Sequence, residues 1–328
     1  MREMSGLDYL KIDIANKYGH GLDKSTWKTR IEWFNDHQDN LHFLRSMPEK
    51  PIMYYKAVRA YEDTMKGIPS GHIMYLDATN SSFQIMAALS GCKQTALDTN
   101  LINSNKVNSA YNIVANLMND KLAVREQVTS KLVKLPLMTK FYNKYEHEEL
   151  TIQQETIFDN VIQERYEGPT AVQIYLNNRW DDNALVHSVV FPDGHTLYKP
   201  VTEMVDTRIR VDELDGVTFS YRYESNQPST RSSSLVPDVI HGCDSFIVRE
   251  MIRKCNRIGI QILPIHDAFG ARCNNMNHIR RFYMEILAEI AASNLFQDIL
   301  TQLGYTGKIT KLSNDLDKYI LDSEYMLS

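Results

Sequence analysis

The chain has 328 residues, 43% of them hydrophobic, and a net charge of −5 at neutral pH. That is ample core-forming material for one large domain or two lobes, and the mild acidity excludes a surface that grips nucleic acid all round while leaving room for one basic channel. There is no charged-then-apolar leader at Met1 and no apolar run of bilayer length, which points to a soluble intracellular protein without a membrane partner.

Residues 24–44 carry Trp27, Ile31 and Phe34 at helical spacing, and 54–65 repeat that texture, so both predict helices. Gly67, Pro69 and Gly71 break the pattern. A short apolar run over 72–76 then leads into Asp77, helical spacing resumes over 82–89, and 105–135 is expected to be helical. From Ala184 the texture changes: 186–191, the Pro192-Asp193-Gly194 turn, and 207–211 with 217–223 around Asp215-Gly216 predict strands and hairpins. His187 and His195 flank that turn and read as ordinary packing or surface histidines. The polar stretch 225–234 predicts a loop. Asp244 is placed to cap a helix running to Arg257 and ended by Gly259. A buried strand is expected over 260–265, with Pro264 at an edge or bulge, followed by a helix over 278–296. The four cysteines (Cys92, Cys243, Cys255, Cys273) form no CxxC pair and read as reduced thiols. Strands and helices do not alternate in a βαβ rhythm, so the expected fold is α+β, mainly helical with small antiparallel sheets.

Two aspartates stand where an apolar run hands over to a turn: Asp77, followed by Ala78-Thr79-Asn80, and Asp267 within Ile265-His266-Asp267-Ala268-Phe269-Gly270. A lone aspartate at a strand end is most often a turn or cap. Two brought together suit a pair of Mg²⁺ ions about 3.5–4 Å apart, the arrangement that phosphoryl and nucleotidyl transfer use. Between them, Lys131, Lys134, Met138 and Tyr142 recur at three- and four-residue steps within 130–142, which puts cations and an aromatic ring on one helix face. Such a face suits a triphosphate and a stacked sugar or base, though a solvated basic helix has the same spacing.

The order of these parts resembles the catalytic half of the single-subunit, phage-type RNA polymerases, the family that includes mitochondrial RNA polymerase. Asp77 resembles that family's first carboxylate motif, Lys134 and Tyr142 its Lys-x7-Tyr fingers helix, and His266-Asp267 its His-Asp motif. Three weaker segments agree: Ala15-Asn16 with Gly21-Leu22-Asp23-Lys24, Val239-Ile240-His241-Gly242-Cys243-Asp244, and Tyr319 to Tyr325 near the end of the chain, which is similar to the family's C-terminal foot. Six segments in one order cover nearly the whole sequence.

The resemblance implies a right-hand polymerase half: palm over 1–93 with a helical insertion and the first aspartate, fingers over 94–240 with a specificity-loop-like hairpin at 200–225, and palm again over 241–328. It implies a DNA-directed RNA polymerase in which Asp77, Asp267 and the backbone carbonyl of Ala78 hold two Mg²⁺. Lys134, Lys24, Lys131 and His266 meet the nucleotide, while Tyr142, His241 and Ser82 test the ribose. The implied partners are DNA template, RNA product and nucleoside triphosphates. The family's N-terminal domain, thumb and early palm strand with a catalytic arginine have no counterpart here. The chain is therefore most like the C-terminal subunit of a heterodimeric phage RNA polymerase, with a second subunit supplying those parts in the cytoplasm of an infected bacterial host.

Related bacterial repair DNA polymerases share the Asp, the Lys-x7-aromatic helix and the His-Asp, and a fragment of one is the alternative, as is a non-catalytic nucleic-acid-binding subunit of the same fold. Three positions favour ribonucleotides: Ser82 where the DNA enzymes carry Glu, Tyr142 in place of Phe, and Ala268 rather than Glu after the second aspartate. The chain departs from the family at Ser130, where an arginine is expected, at Asn143, where glycine is expected, and at Pro136, which should kink the helix or mark its start. The hairpin carries Arg208 and Arg210, but its tip holds Asp212, Glu213 and Asp215, which would repel duplex phosphates. Initiation is therefore expected to need an accessory single-stranded-DNA or promoter-opening factor.

Overall fold

The computed structural model describes residues 1–104, 106–142, 149–225 and 235–328. Asn143 and the polar segment 226–234 lie outside them. The chain is mainly helical, with three small antiparallel sheets among the described residues.

Helix α1 (Gly6–Tyr18) starts at a reciprocal cap: the Ser5 hydroxyl accepts from the Asp8 backbone and the Asp8 carboxylate accepts from the Ser5 backbone, both at 3.1 Å. The single helix expected over 24–44 is broken. Gly21 takes a left-handed conformation (φ 83°), Leu22–Lys24 closes a 3₁₀ turn, and Thr26 caps a new helix, α2 (Trp27–His37), by accepting from Thr29 N at 3.2 Å. Helix α3 (Pro51–Met65) packs across α1 and α2 on a small core of Ile14, Phe34, Leu41, Tyr54, Ala57 and Val58.

Strand β1 (Ile73–Asp77) leads into α4 (Ser81–Ser90), which is buried from Phe83 to Ser90 and forms the axis of the main core. After α5 (Lys93–Asp98) comes α6 (Ala110–Asn119). The continuous helix expected to 135 stops there, because the Asn119 amide exchanges two hydrogen bonds with the Val128 backbone (2.8 and 2.9 Å) and closes a loop. Helix α7 (Ser130–Thr139) starts at a Thr129 cap, six residues before Pro136, and runs through that proline into a 3₁₀ turn, Lys140–Tyr142. Pro136 therefore does not mark the start of the helix. Helices α8 (Ile152–Arg165) and α9 (Glu167–Asn177) complete this region.

Two hairpins follow. Strands β2 (Val186–Val190) and β3 (Thr196–Pro200) enclose the Pro-Asp-Gly turn, whose Asp193 is gripped by Arg249 and by Arg253 (3.5 Å). Strands β4 (Glu203–Val211) and β5 (Val217–Ser225) form a nine-residue ribbon. Directly opposed residues share a face. One face therefore carries Val205, Ile209 and Val211 against Tyr223, Phe219 and Val217, with Thr207 opposite Tyr221. The other carries Asp206, Arg208 and Arg210 against Arg222, Ser220 and Thr218. Tyr221 and Tyr223 stack at 5.6 Å, and Phe219, Tyr221 and Tyr223 are about half exposed.

Helix α10 (Val236–Arg257) begins with Pro237 in its first turn, eight residues earlier than expected, so Asp244 is an interior residue and not a cap. Strand β6 (Leu263–Ile265) is shorter than expected and is not buried: Leu263 and Ile265 are 49% and 56% exposed. It forms one edge of the three-stranded sheet β1-β7-β6, where Pro264 has no ladder donor to lose. Strand β7 (Ala268–Arg272) is central and antiparallel to both neighbours. Helix α11 ends at Ala292 (Met276–Ala292) and a separate α12 (Leu295–Gln302) follows, then α13 (Leu316–Ile320). Met74, Leu76, Phe269 and Ala271 alternate onto the buried face of the sheet, with Phe269 against the Tyr283 ring of α11 at 5.6 Å. Gly270 is required opposite Tyr75: a Cβ there would lie 2.5 Å from the tyrosine ring. Among the described residues no helix is long and apolar enough to cross a membrane.

Candidate active site

The sheet brings the two aspartates together. Ile265 pairs with Ala268, so His266 and Asp267 are the two central residues of the β6–β7 turn. His266 holds a left-handed φ of 54°, the conformation a tight hairpin of this length demands and which a non-glycine residue adopts at a cost. Across the sheet Asp77 stands opposite Ala268, and Ala78 N donates to the Asp267 carbonyl at 3.1 Å. The two carboxyl-bearing residues are thereby locked into adjacent positions at one end of the sheet. Burial raises the Asp77 carboxyl above its ordinary range and Asp267 raises it further, while Lys50 and Lys134 pull it back. A buried carboxylate whose proton affinity a neighbouring carboxylate raises is a site that a hard cation relieves. Among the described residues no group of three or more His, Cys, Asp or Glu side chains is placed to hold a metal ion. A carboxylate pair suits Mg²⁺, which binds through one or two carboxylates and keeps waters.

These aspartates open into a cleft of about 630 Å³. Of the residues singled out in the sequence, Lys24, Asp77, Ala78, Ser82, Lys134, Tyr142, His241 and Asp267 all line it. Tyr142 is delivered by the 3₁₀ turn after α7, whose Phe141 is buried edge-on against Phe83 (5.2 Å). The Tyr142 hydroxyl shares a 2.7 Å hydrogen bond with Ser82 Oγ, and its ring lies 5.6 Å from the His241 imidazole on α10. Lys134 projects from α7 with its ammonium 5.9 Å from the Tyr111 ring centroid. Lys131 and His266 are not among the lining residues. Lys131 is exposed in the first turn of α7, about 16 Å along the helix axis from Tyr142.

The structure adds groups that sequence reading did not single out for the site. Tyr111, at the start of α6, sits over the cleft, and its hydroxyl is pushed up first by burial and then by Asp267 and Asp77. Asp98 lines the cleft but is neutralised by a two-pronged bond from Arg165 (2.9 and 3.0 Å). Ser328 also lines it, paired with Asp77 by backbone bonds in both directions (2.9 and 3.3 Å). Asp244 follows His241 by three residues on α10 and faces the turn. Burial and then Asp267 raise its carboxyl to about 6, with His266 acting in the opposite sense. Only the i, i+3 spacing of His241 and Asp244 signalled this, and the capping interpretation had masked it.

Residues 2–180, more than half of the chain, match the profile of DNA-dependent RNA polymerase. The chain belongs to that polymerase family. It is similar to the mitochondrial DNA-directed RNA polymerase 1 of Arabidopsis thaliana (21% identity, covering 90% of this chain and 36% of that protein). It is also similar to the DNA-directed RNA polymerase of Pseudomonas phage phiKMV (22%, covering 91% and 44%) and to a probable DNA-directed RNA polymerase of Gelasinospora (23%, covering 89% and 43%). The chain spans less than half the length of these curated relatives.

The electrostatics of the cleft lead to one prediction. An unfolded chain releases the Asp244 proton near 3.8 and the folded one only near 6, so folding is penalised increasingly as pH rises through that interval and fully above it. In metal-free protein, Asp244→Asn should raise the unfolding free energy by about 1–3 kcal/mol at pH 8 and leave it nearly unchanged at pH 3.5. Urea unfolding in the presence of a chelator at the two pH values reads this directly.

Proposed function

We propose that this chain is the catalytic part of a DNA-directed RNA polymerase, joining ribonucleotides to an RNA 3′-hydroxyl under the direction of a DNA template. The observation that carries the reading is the Asp77–Asp267 pair at the mouth of a cleft that also holds Lys24, Lys134 and the Ser82–Tyr142–His241 cluster. We read 1–93 and 241–328 as palm, because strands from both segments build the one sheet that presents the aspartates, and 94–240 as fingers.

In this mechanism Asp77, Asp267 and the Ala78 carbonyl would hold Mg²⁺. When bound, the ions lower the proton affinity of the attacking hydroxyl and neutralise charge on the triphosphate. Lys24 and Lys134, which both line the cleft, hold the triphosphate, and Lys134 gives a proton to departing pyrophosphate. Their contribution is position and charge, the main terms in phosphoryl transfer. The Tyr142 hydroxyl, tied to Ser82, faces the sugar beside His241. It offers a polar partner to a 2′-hydroxyl, and a deoxynucleotide would leave that partner unmet. The parts of a polymerase outside this matched region, including the thumb, would come from a second subunit, in the cytoplasm of an infected bacterial host.

The ribbon β4–β5 bears six acidic against three basic side chains. Arg222 is bound by Asp206 (2.7 and 3.0 Å) and Arg210 lies 3.3 Å from Asp212. Its cations are thus largely answered internally, which makes it a poor reader of duplex phosphates and leaves promoter opening to an accessory factor.

Asp77→Asn and Asp267→Asn should each abolish primed ribonucleotide extension while leaving the fold intact by circular dichroism; ordinary turnover in either would refute the assignment. Tyr142→Phe should relax selection against deoxynucleotides by about tenfold in kcat/KM ratio, the scale of one sugar hydrogen bond. Unchanged selectivity would remove Tyr142 from the role, and faster extension with deoxynucleotides by the unmodified protein would identify a DNA polymerase instead. The polymerase without helper should show only weak, salt-sensitive binding to duplex DNA. A salt-resistant duplex footprint would overturn the account of the ribbon.

A further inference from the structure

Arg30 on α2 is fully buried, yet the described contacts bring it no carboxylate. Its guanidinium donates to the carbonyls of Asp23 (2.7 Å) and Ser25 (2.9 and 3.1 Å), the residues on either side of Lys24. It also donates to Asn16 Oδ1 at 3.0 Å and to Ser328 Oγ at 2.6 Å. The face of the guanidinium lies over the Trp27 ring at 4.6 Å, and Trp27 in turn stacks on Tyr325 at 5.4 Å. Ser328 pairs with Asp77 through two backbone bonds. A continuous series of contacts therefore runs from the Lys24 turn through Arg30 and Ser328 to Asp77.

A buried cation whose hydrogen bonds all go to neutral acceptors contributes little net stability, since its desolvation offsets most of what those bonds supply. Its geometry is specific, however. The planar fork is the only side chain that can reach both sides of the Lys24 turn and a hydroxyl on another segment at once. Without it, the Leu22–Lys24 turn would keep its short 3₁₀ bonds and the Ser25 hydroxyl bond to the Leu22 carbonyl, all of them local.

We propose that Arg30 is a positioning residue for nucleotide capture: it fixes the Lys24 turn to Ser328, and through Ser328 to Asp77, so that the triphosphate-binding lysine is held at a set place relative to the catalytic aspartate. The proposal rests on the polymerase reading of the cleft. It assigns Arg30 and Ser328 no contact with substrate; both act through Lys24. Loosening them lets Lys24 wander, which weakens capture of the triphosphate more than it slows the chemical step.

The test is primed ribonucleotide extension by the purified polymerase, this chain together with any polypeptide that co-purifies, with KM and kcat for ATP measured separately. Arg30→Lys keeps the charge and loses the fork; it should raise KM about tenfold with kcat within about twofold, as expected for loss of ground-state positioning. Ser328→Ala removes one hydroxyl from the cleft wall and should raise KM about threefold at an unchanged melting temperature, with Ser328→Thr restoring it. Combined with Lys24→Ala, neither change should raise KM further, because both act through that lysine. Should Arg30→Lys fail to fold, Ser328→Ala and its threonine rescue decide the matter. An unchanged KM in Ser328→Ala, or effects that multiply fully with Lys24→Ala, would overturn the proposal. So would a Lys24→Ala variant with normal KM, while loss of synthesis in Asp77→Asn leaves the polymerase reading standing. Synthesis by Asp77→Asn would instead sink that reading itself.

Discussion

The geometry of the cleft depends on the antiparallel register of β1 and β7. Asp77 faces Ala268, and the amide after Asp77 bonds to the carbonyl of Asp267. A slip of one residue would turn every side chain of the strand to the other face of the sheet. It would place Leu76 in the cleft and Asp77 in the core. What prevents the slip is the alternation of Met74 and Leu76 onto the buried face, against Phe269 and Ala271 on the partner strand. Hydrophobic burial thus sets the register, and the register sets the separation of two like charges that would otherwise drift apart.

A second layer holds the surroundings of the pair. Gln84, wholly buried on α4, donates to Thr79 Oγ1, the Thr99 carbonyl and the Met326 carbonyl, and accepts from the Tyr283 hydroxyl. One side chain thereby ties the segment after Asp77 to α5, α11 and the segment that carries Ser328. Arg280 makes a similar junction, reaching the Glu324 carboxylate, the Arg2 carbonyl and the Tyr9 hydroxyl. Buried polar networks of this sort are stable only when every member is satisfied. Their benefit here is uniqueness of arrangement, since an apolar replacement could fill the volume but could not specify which backbone groups meet.

Much of the site was legible in the sequence because its residues stand at ends of elements with clear local signals. Asp77 and Asp267 each terminate an apolar run, and Lys134, Met138 and Tyr142 keep helical spacing even though the helix passes through Pro136 and tightens after Thr139. Lys131 shares that spacing but stands too far along the axis, so periodicity alone could not separate a cleft residue from a surface one. Asp244 was misread because Pro237 starts the helix upstream, beside a polar stretch that looked like loop. The break after Asn119 depends on a side chain reaching Val128, and the roles of Tyr111, Arg30 and Ser328 depend on contacts across up to 298 residues of sequence. Local pattern carries no trace of such contacts. The strand expected over 260–265 was apolar enough to look buried, yet it lies at a sheet edge where that apolarity faces outward.

The amphipathic ribbon has a practical bearing on the protein's behaviour in solution. Its aromatic and branched face presents Ile209, Val217, Phe219, Tyr221 and Tyr223 to water, each roughly half exposed, on two strands that among the described residues pair only with each other. Ribbons of that kind invite edge-to-edge pairing and nonspecific adhesion. The acidic tip and the charges on the opposite face act as gatekeepers, keeping neighbouring molecules apart by mutual repulsion. That protection is electrostatic and so weakens as salt is added. The colloidal stability of the chain is therefore tied to ionic strength, and high-salt buffers would lower the barrier to its self-association.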